Sequence, residues 1–594
     1  MPTRAQADRS SRLRAPLSPR LRAPLSPRLR APSGETILLA GVALYLGVFT
    51  LWPLGRLLVE ALGPNAAGET LGILRDQWQS RSTSRALWNT LEAGTLATLV
   101  SVVLGATMAF VVALTDVRAK TALTFALLLP LLVPSQITAL AWIELIGPSS
   151  PILRPLGLAS PPGTTNPLYS LGGIVLVMGV EHAALVFLAV RAGLRAMPRD
   201  LVEAARIAGA RPLVATLRVV VPLSLPALLA GAALAFVSAI GNFGVPALLG
   251  IPGRYTMLTT LIYQRLNGFG PSVLGEVAAI ALILILIAVG GLALRAVVAA
   301  RMHARVERAS AMLRPFPLGR ARLPLETGVW TVLGLVSFLP LCALLAASLT
   351  PAIGVRLSLE TLTLDHYRFV VLGQDMTRRA FANSFLLAGA TAVVAGLVAV
   401  PLAYLAVLRR MRTARVLDLV ADTPYAIPGT VLAIGAILVF LPPLPILGVS
   451  VYNSLWIILF AYFARFMTLA LRPVTASLET IEPALDEAAR IAGAKAFRRL
   501  FAIVVPIAAP AAVAGGLLIF MTAFNELTVS ALLWSSGTET LGVVVFFLQY
   551  EGNSPAAAAL ATATVVVTLL LALLLDVVGR RLPGDVVPWR DAAG

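Results

Sequence analysis

Charge is what this sequence has least of. Of 594 residues 13% are charged and 58% apolar, and the mean hydropathy is +0.86. A soluble domain carries roughly 25% charged residues, so a wholly water-facing surface is excluded. Lysine is nearly missing: Lys120 and Lys495 stand alone beside the arginines, and neither follows a glycine. A phosphate-wrapping Walker A loop needs a Gly-Lys step, so the chain is not itself a P-loop ATPase. The single cysteine, Cys342, excludes an intrachain disulfide and a cysteine-rich metal site. His182, His303 and His366 lie far apart with no paired ligand spacing, so no metal site is expected. Acidic residues number 29 against 47 basic ones, a net charge of +18.

What is present is long apolar runs. Residues 1–33 precede them and read as a disordered basic cytoplasmic tail: LRAPLSPR occurs twice, at Leu13–Arg20 and Leu21–Arg28. Proline at that density prevents a helix, and eight arginines to one aspartate suit anionic lipid rather than a cleaved signal. A bilayer-crossing helix needs about 20 apolar residues. Candidate spans fall near 36–58, 90–114, 121–146, 169–191, 224–249 and 273–298, then near 327–350, 382–408, 416–441, 453–473, 508–534 and 556–579. The expected class is an all-α polytopic membrane protein of about twelve transmembrane helices. Its domains are 34–300 and 325–582, joined by a cytoplasmic linker at 301–324 and followed by a tail at 583–594. Arginine clusters at the N-terminus, Arg118, Arg191–Arg218, Arg295–Arg322, Arg409–Arg415, Arg490–Arg499 and Arg580/Arg581 would all fall on one side of twelve spans. That bias predicts a multi-pass membrane protein with both termini cytoplasmic.

The two sixes repeat each other. Glu203–Gly231 aligns without gaps on Glu487–Gly515, 284 positions later, and both segments open with EAARIAGA. Downstream, Val220, Val221 and Pro222 match Val504, Val505 and Pro506. Six spans per copy keep the orientation, so the halves form a parallel pseudo-two-fold repeat. Each repeated loop lies on the arginine-rich side between the fourth and fifth span of its half. Its Glu-Ala-Ala start favours a helix, Gly209 or Gly493 allows a tight turn, and a second short helix is expected to end near Pro222 or Pro506. The small alanines would let a groove on another protein approach closely.

EAARIAGA followed by VVVP or IVVP resembles the EAA motif of ABC-importer inner-membrane permeases, in both halves. The resemblance implies a fused permease of the binding-protein-dependent class with the type I importer fold. Glu203, Ala204, Ala205 and Gly209, and Glu487, Ala488, Ala489 and Gly493, match the motif and would form coupling helices. Two ATPase subunits would carry ATP and magnesium, leaving no cofactor and no enzyme activity in this chain. A periplasmic binding protein would deliver the solute; membrane lipid is the remaining partner, and no nucleic acid is expected. AIGNFGVPALLG at 239–250 and FNELTVSALLWSSGTETLGVVVF at 524–546 are similar to ferric-iron permeases. Thiamine, aminophosphonate and polyamine permeases are related alternatives.

Polar residues inside the spans are candidates for the translocation path. Glu181 and Arg465 occupy equivalent positions in the repeat, as do Asn242 and Glu526, with Asn525 adjacent. An isolated charge in lipid is costly. Glu181 and Arg465 would therefore meet carbonyls or water separately, or pair across the pseudo-two-fold. Asn242, Asn525 and Glu526 would line the path, or bond helix to helix. A proton-coupled secondary transporter using Glu181 and His182 as a relay is the reading from a different class.

Overall fold

The computed structural model describes residues 33–269, 273–302, 316–443 and 448–579, except 196 and 198. Most of the basic tail, the linker segment 303–315 and the end of the chain, with Arg580 and Arg581, lie outside the described residues. Among the described residues the architecture is all helical, with one isolated bridge between Thr115 and Phe316. Ten helices are long and apolar enough to cross a membrane, and twelve if each of two bent pairs counts as one span. Large apolar side chains such as Val103 and Leu397 point outward on these helices, as lipid-facing residues do.

Both bent pairs are third spans of their half. Lys120–Leu132 meets Ser135–Ile146 at 101°, and Arg412–Ala426 meets Gly429–Phe440 at 106°. Proline drives the bend by removing an amide donor and pushing the preceding residue out of the helical region. Val133 and Ile427 are accordingly extended (ψ 131° and 140°), ahead of Pro134 and Pro428.

The fifth spans differ from the expected 224–249 and 508–534. They run over Pro212–Gly241 and Ala496–Phe524, beginning inside the repeated loops. The expected second short helix does not stop at Pro222 or Pro506 but continues into the span. A widened turn at Thr216–Val220, or Leu500–Val504, precedes each proline and absorbs its missing N–H. The spans end early because Asn242 (ψ 133°) and Asn525 (ψ 21°) leave the helix.

Packing repeats with the same offset. A Cβ on Gly231 would meet the Val186 backbone at 3.0 Å, and one on Gly515 would meet the Ala470 backbone at 2.8 Å. Val186 and Ala470 are themselves 284 positions apart, so the fifth span docks on the fourth identically in each half. The first span of each half instead crosses over. In Gly34–Ala61, Tyr45 donates to the Phe463 carbonyl at 2.7 Å, and Pro53 lies against Gly435. At the start of Gly319–Ser348, Glu326 accepts from the Arg118 amide at 2.8 Å.

Candidate functional site

Two places collect the residues singled out by sequence. One is the pair of repeated loops at the arginine-rich end. Arg199–Ile207 and Pro483–Ile491 are helices of nine residues. Gly209 (φ +80°) and Gly493 (φ +79°) then adopt the left-handed conformation that terminates a helix. The Ala210 amide donates to the Ala205 carbonyl and the Gly209 amide to the Arg206 carbonyl, both at 3.0 Å. Ala494 and Ala489, and Gly493 and Arg490, repeat those bonds at 3.0 and 2.9 Å. The second alanine of each Glu-Ala-Ala thus supplies the carbonyl that closes the turn. Ala204 and Ala488 face outward, as does Glu487.

The outward face carries residues that the motif reading passed over. Ile207 and Ile491, at equivalent positions, are 88% and 89% exposed, and Leu201 and Leu485 are also exposed. Sequence held the signal, since each isoleucine lies inside the repeated octet. Two helices presenting the same unpartnered apolar knobs beside small alanines are built to be covered.

The inward faces differ. Val202 and Ala215 are buried among apolar neighbours under the first loop. The equivalent positions under the second loop hold Asp486 and Arg499. Asp486 accepts from Tyr404, Arg409 and Arg499 at 3.3–3.4 Å, and both arginines also pair with Glu35 at the start of the first span. Outside the spans, burial opposes the charge on Arg409, but hydrogen bonding and attraction to Glu35 raise its pKa overall.

The second place is a polar layer partway along the helices, where bends and breaks meet. Glu181 is buried; Ser135, just after the first bend, donates to its Oε1, and Asn242 Nδ2 donates to its Oε2 at 3.3 Å. His182 Nε2 lies 4.0 Å from the same carboxylate. Arg465 lies elsewhere, against Gly429 at the second bend, with its Nη1 buried and without a hydrogen bond. No ion pair joins Glu181 to Arg465, which corrects the pairing expectation. Each side chain is turned into the bend of its own half. Of the two spans that carry Glu181 and Arg465, the second is interrupted at Phe466, between Leu455–Arg465 and Met467–Glu479.

Asn242 and Glu526 do equivalent work. Asn242 Oδ1 accepts the Val245 amide at 3.1 Å, and Glu526 Oε1 accepts the Val529 amide at 2.7 Å, each capping the turn that follows its broken span. Glu526 Oε2 is occupied as well, by Ser530 and Tyr462. Asn525 Nδ2 donates to Thr568, while its Oδ1 is buried without a partner. The halves touch here: Gln136 donates to the Asn525 carbonyl at 3.0 Å, and Pro428 packs on Gly241. Gly241 and Asn525 are equivalent, so each bend meets the broken span of the other half.

The GTETL segment ends beside this layer, since a Cβ on Gly542, directly after Leu541, would meet the Glu526 carbonyl at 2.8 Å. Asn383 donates to the Gly537 and Glu539 carbonyls, and the Leu541 amide donates to Ser384, anchoring the segment on the eighth span.

Two loop-bearing halves around a shared polar layer define a polytopic permease. Residues 101–304 and 392–583 match the family described as binding-protein-dependent transport system inner membrane component, and the chain belongs to that family of ABC-importer permeases. It is thus a multi-pass inner-membrane protein and not itself an enzyme, which removes the secondary-transporter reading. The chain is 29% identical over 476 residues to the "Probable ABC transporter permease protein y4fN" of Sinorhizobium fredii, covering 79% of this chain and 82% of that one. It is 24% identical over 509 residues to the ferric transport system permease protein FbpB of Actinobacillus pleuropneumoniae, covering 83% and 70%. Among solved structures, a bacterial alginate ABC transporter in complex with an alginate pentasaccharide-bound periplasmic protein aligns with 44% of this chain and 96% of its own. The identity there is 18% and the TM-score 0.36.

Proposed function

We propose that this chain is the complete translocation path of an importer for ferric iron, driven by two separate ATPase subunits. The observation that carries the ATPase reading is the pair of loops exposing Leu201, Ile207, Leu485 and Ile491 at equivalent positions. In this reading the helices bearing Glu203, Ala204 and Ala205, and Glu487, Ala488 and Ala489, are coupling helices on the cytoplasmic side. ATP and magnesium stay on the partners, both termini are cytoplasmic, and the two domains are 34–300 and 325–582. A loaded periplasmic receptor docks on the opposite face. Closure of the ATPase pair draws the two loops together. Because each fifth span is continuous with its loop, that motion is carried as rigid levers to Gly241–Asn242 and Asn525–Glu526, where the halves touch. The central layer is then the gate, with Glu181, Asn242, Arg465, Asn525 and Glu526 setting its shape and charge.

Iron is favoured by the extended similarity to a ferric permease across most of the chain. The test is uptake into proteoliposomes holding this chain, its ATPase and its receptor, offered ferric iron, thiamine, an aminophosphonate or a polyamine. ATP-dependent accumulation of iron alone is expected, with Ile207→Glu plus Ile491→Glu abolishing it at unchanged membrane insertion. Accumulation of another of these solutes overturns the iron assignment, and full uptake by the double variant overturns the coupling assignment.

A further inference from the structure

The two repeated loops are not equally enclosed. Beside the second lies a cavity of about 530 Å³, bounded by the start of the first span and the start of the eleventh. A Cβ on Gly34 would meet the Phe497 ring at 3.2 Å, so the two helix starts are in contact at its edge. Its cationic walls are Arg409, Arg490, Lys495 and Arg499, with Glu35 as the facing carboxylate. Arg409 and Arg499 are occupied by Glu35 and Asp486. Arg490 and Lys495 are exposed and make no ion pair among the described residues, so the cavity holds two uncompensated positive charges. Apart from Ser33 its remaining walls are apolar: Ile37 and Phe497 line it, and both are partly open to the surroundings, as is neighbouring Phe501.

We infer that this cavity is a binding site for the phosphate headgroup of one anionic phospholipid. Two free cations at the arginine-rich end of the spans, beside apolar walls leading toward the bilayer, match a phosphate attached to an acyl chain. Residues 1–32 carry eight arginines and one aspartate, so their composition adds far more positive than negative charge. The first loop differs: the guanidinium of Arg206, equivalent to Arg490, lies 5.3 Å from the centre of the Phe316 ring. An aromatic side chain from the linker segment thus engages that cation, whereas no ring lies over Arg490 among the described residues. The inference does not depend on which solute the chain carries.

The test is native mass spectrometry of the purified full chain after exchange into phosphatidylglycerol or phosphatidylcholine. The wild type is expected to retain one phosphatidylglycerol and no phosphatidylcholine. Arg490→Gln with Lys495→Gln should lose it, while Arg206→Gln with Arg211→Gln should keep it. Equal retention of the two lipids, or retention unchanged in the Arg490/Lys495 variant, overturns the site. Displacement by excess inorganic phosphate overturns the lipid as the source of the phosphate group.

Discussion

Glu181 and Arg465 occupy equivalent positions and meet the cost of a buried charge in different ways. Glu181 has two donors, Ser135 and Asn242, whereas Arg465 rests in the space left by Gly429 with one guanidinium nitrogen unpartnered. Groups without a shared partner have effects that add to within about 0.5 kcal/mol. Uptake rates of Glu181→Gln, Arg465→Gln and the double variant should therefore multiply, and the charge swap should rescue nothing; a double variant milder than either single change contradicts the geometry. Gly493 is a simpler case. Nothing lies within 4 Å of a Cβ built there, so only its positive φ excludes other residues. A β-branched side chain in that conformation costs about 1–2 kcal/mol, which corresponds to roughly tenfold in the population of the correct turn. Gly493→Val should lower ATP-dependent uptake by about that factor, and Gly493→Asn by much less, at equal insertion. Equal rates for the two variants would remove the turn from the account.

Among the elements, the seventh span is tied to the first half at the arginine-rich end. Asp116, in the loop after the second span, accepts the Leu318 amide at 2.9 Å and pairs with Arg322. The Leu318 amide is the largest influence on the Asp116 carboxyl; desolvation opposes it, and Arg322 adds to it, so the carboxyl lies below its usual value. A lowered folded-state pKa means stability that is present above the ordinary carboxylate range and is lost as pH falls toward the folded value. The thermal stability advantage of the wild type over Asp116→Asn should accordingly be full near neutrality and vanish on acidification; a difference independent of pH would contradict the ion pair. Much of this scale was legible in the sequence, since the offset of 284 positions that aligned the loops also relates Gly231–Val186 to Gly515–Ala470. The sharp bends were not legible, because hydropathy continues unbroken through Pro134 and Pro428. Nor were the true starts of the fifth spans, because the loop helix runs on through Pro222 and Pro506. The ionic cluster under the second loop was hidden for another reason: Arg409 and Arg499, which pair with Asp486, also reach Glu35 only because the first span crosses to the other half.

For the whole molecule, chain order and spatial order differ. The first span belongs by sequence to one half and packs on the other, so the halves are fastened at both ends of the repeat. Such a chain already contains both exposed loop faces, and in the proposed reading a second copy would add nothing to the path. The central claim is that one chain presents two docking loops, each to its own ATPase subunit. Native mass spectrometry of the complex purified with its ATPase tests this most directly. One copy of this chain with two ATPase subunits is the predicted mass; two copies of the chain, or a single ATPase subunit in an intact and active complex, would contradict it.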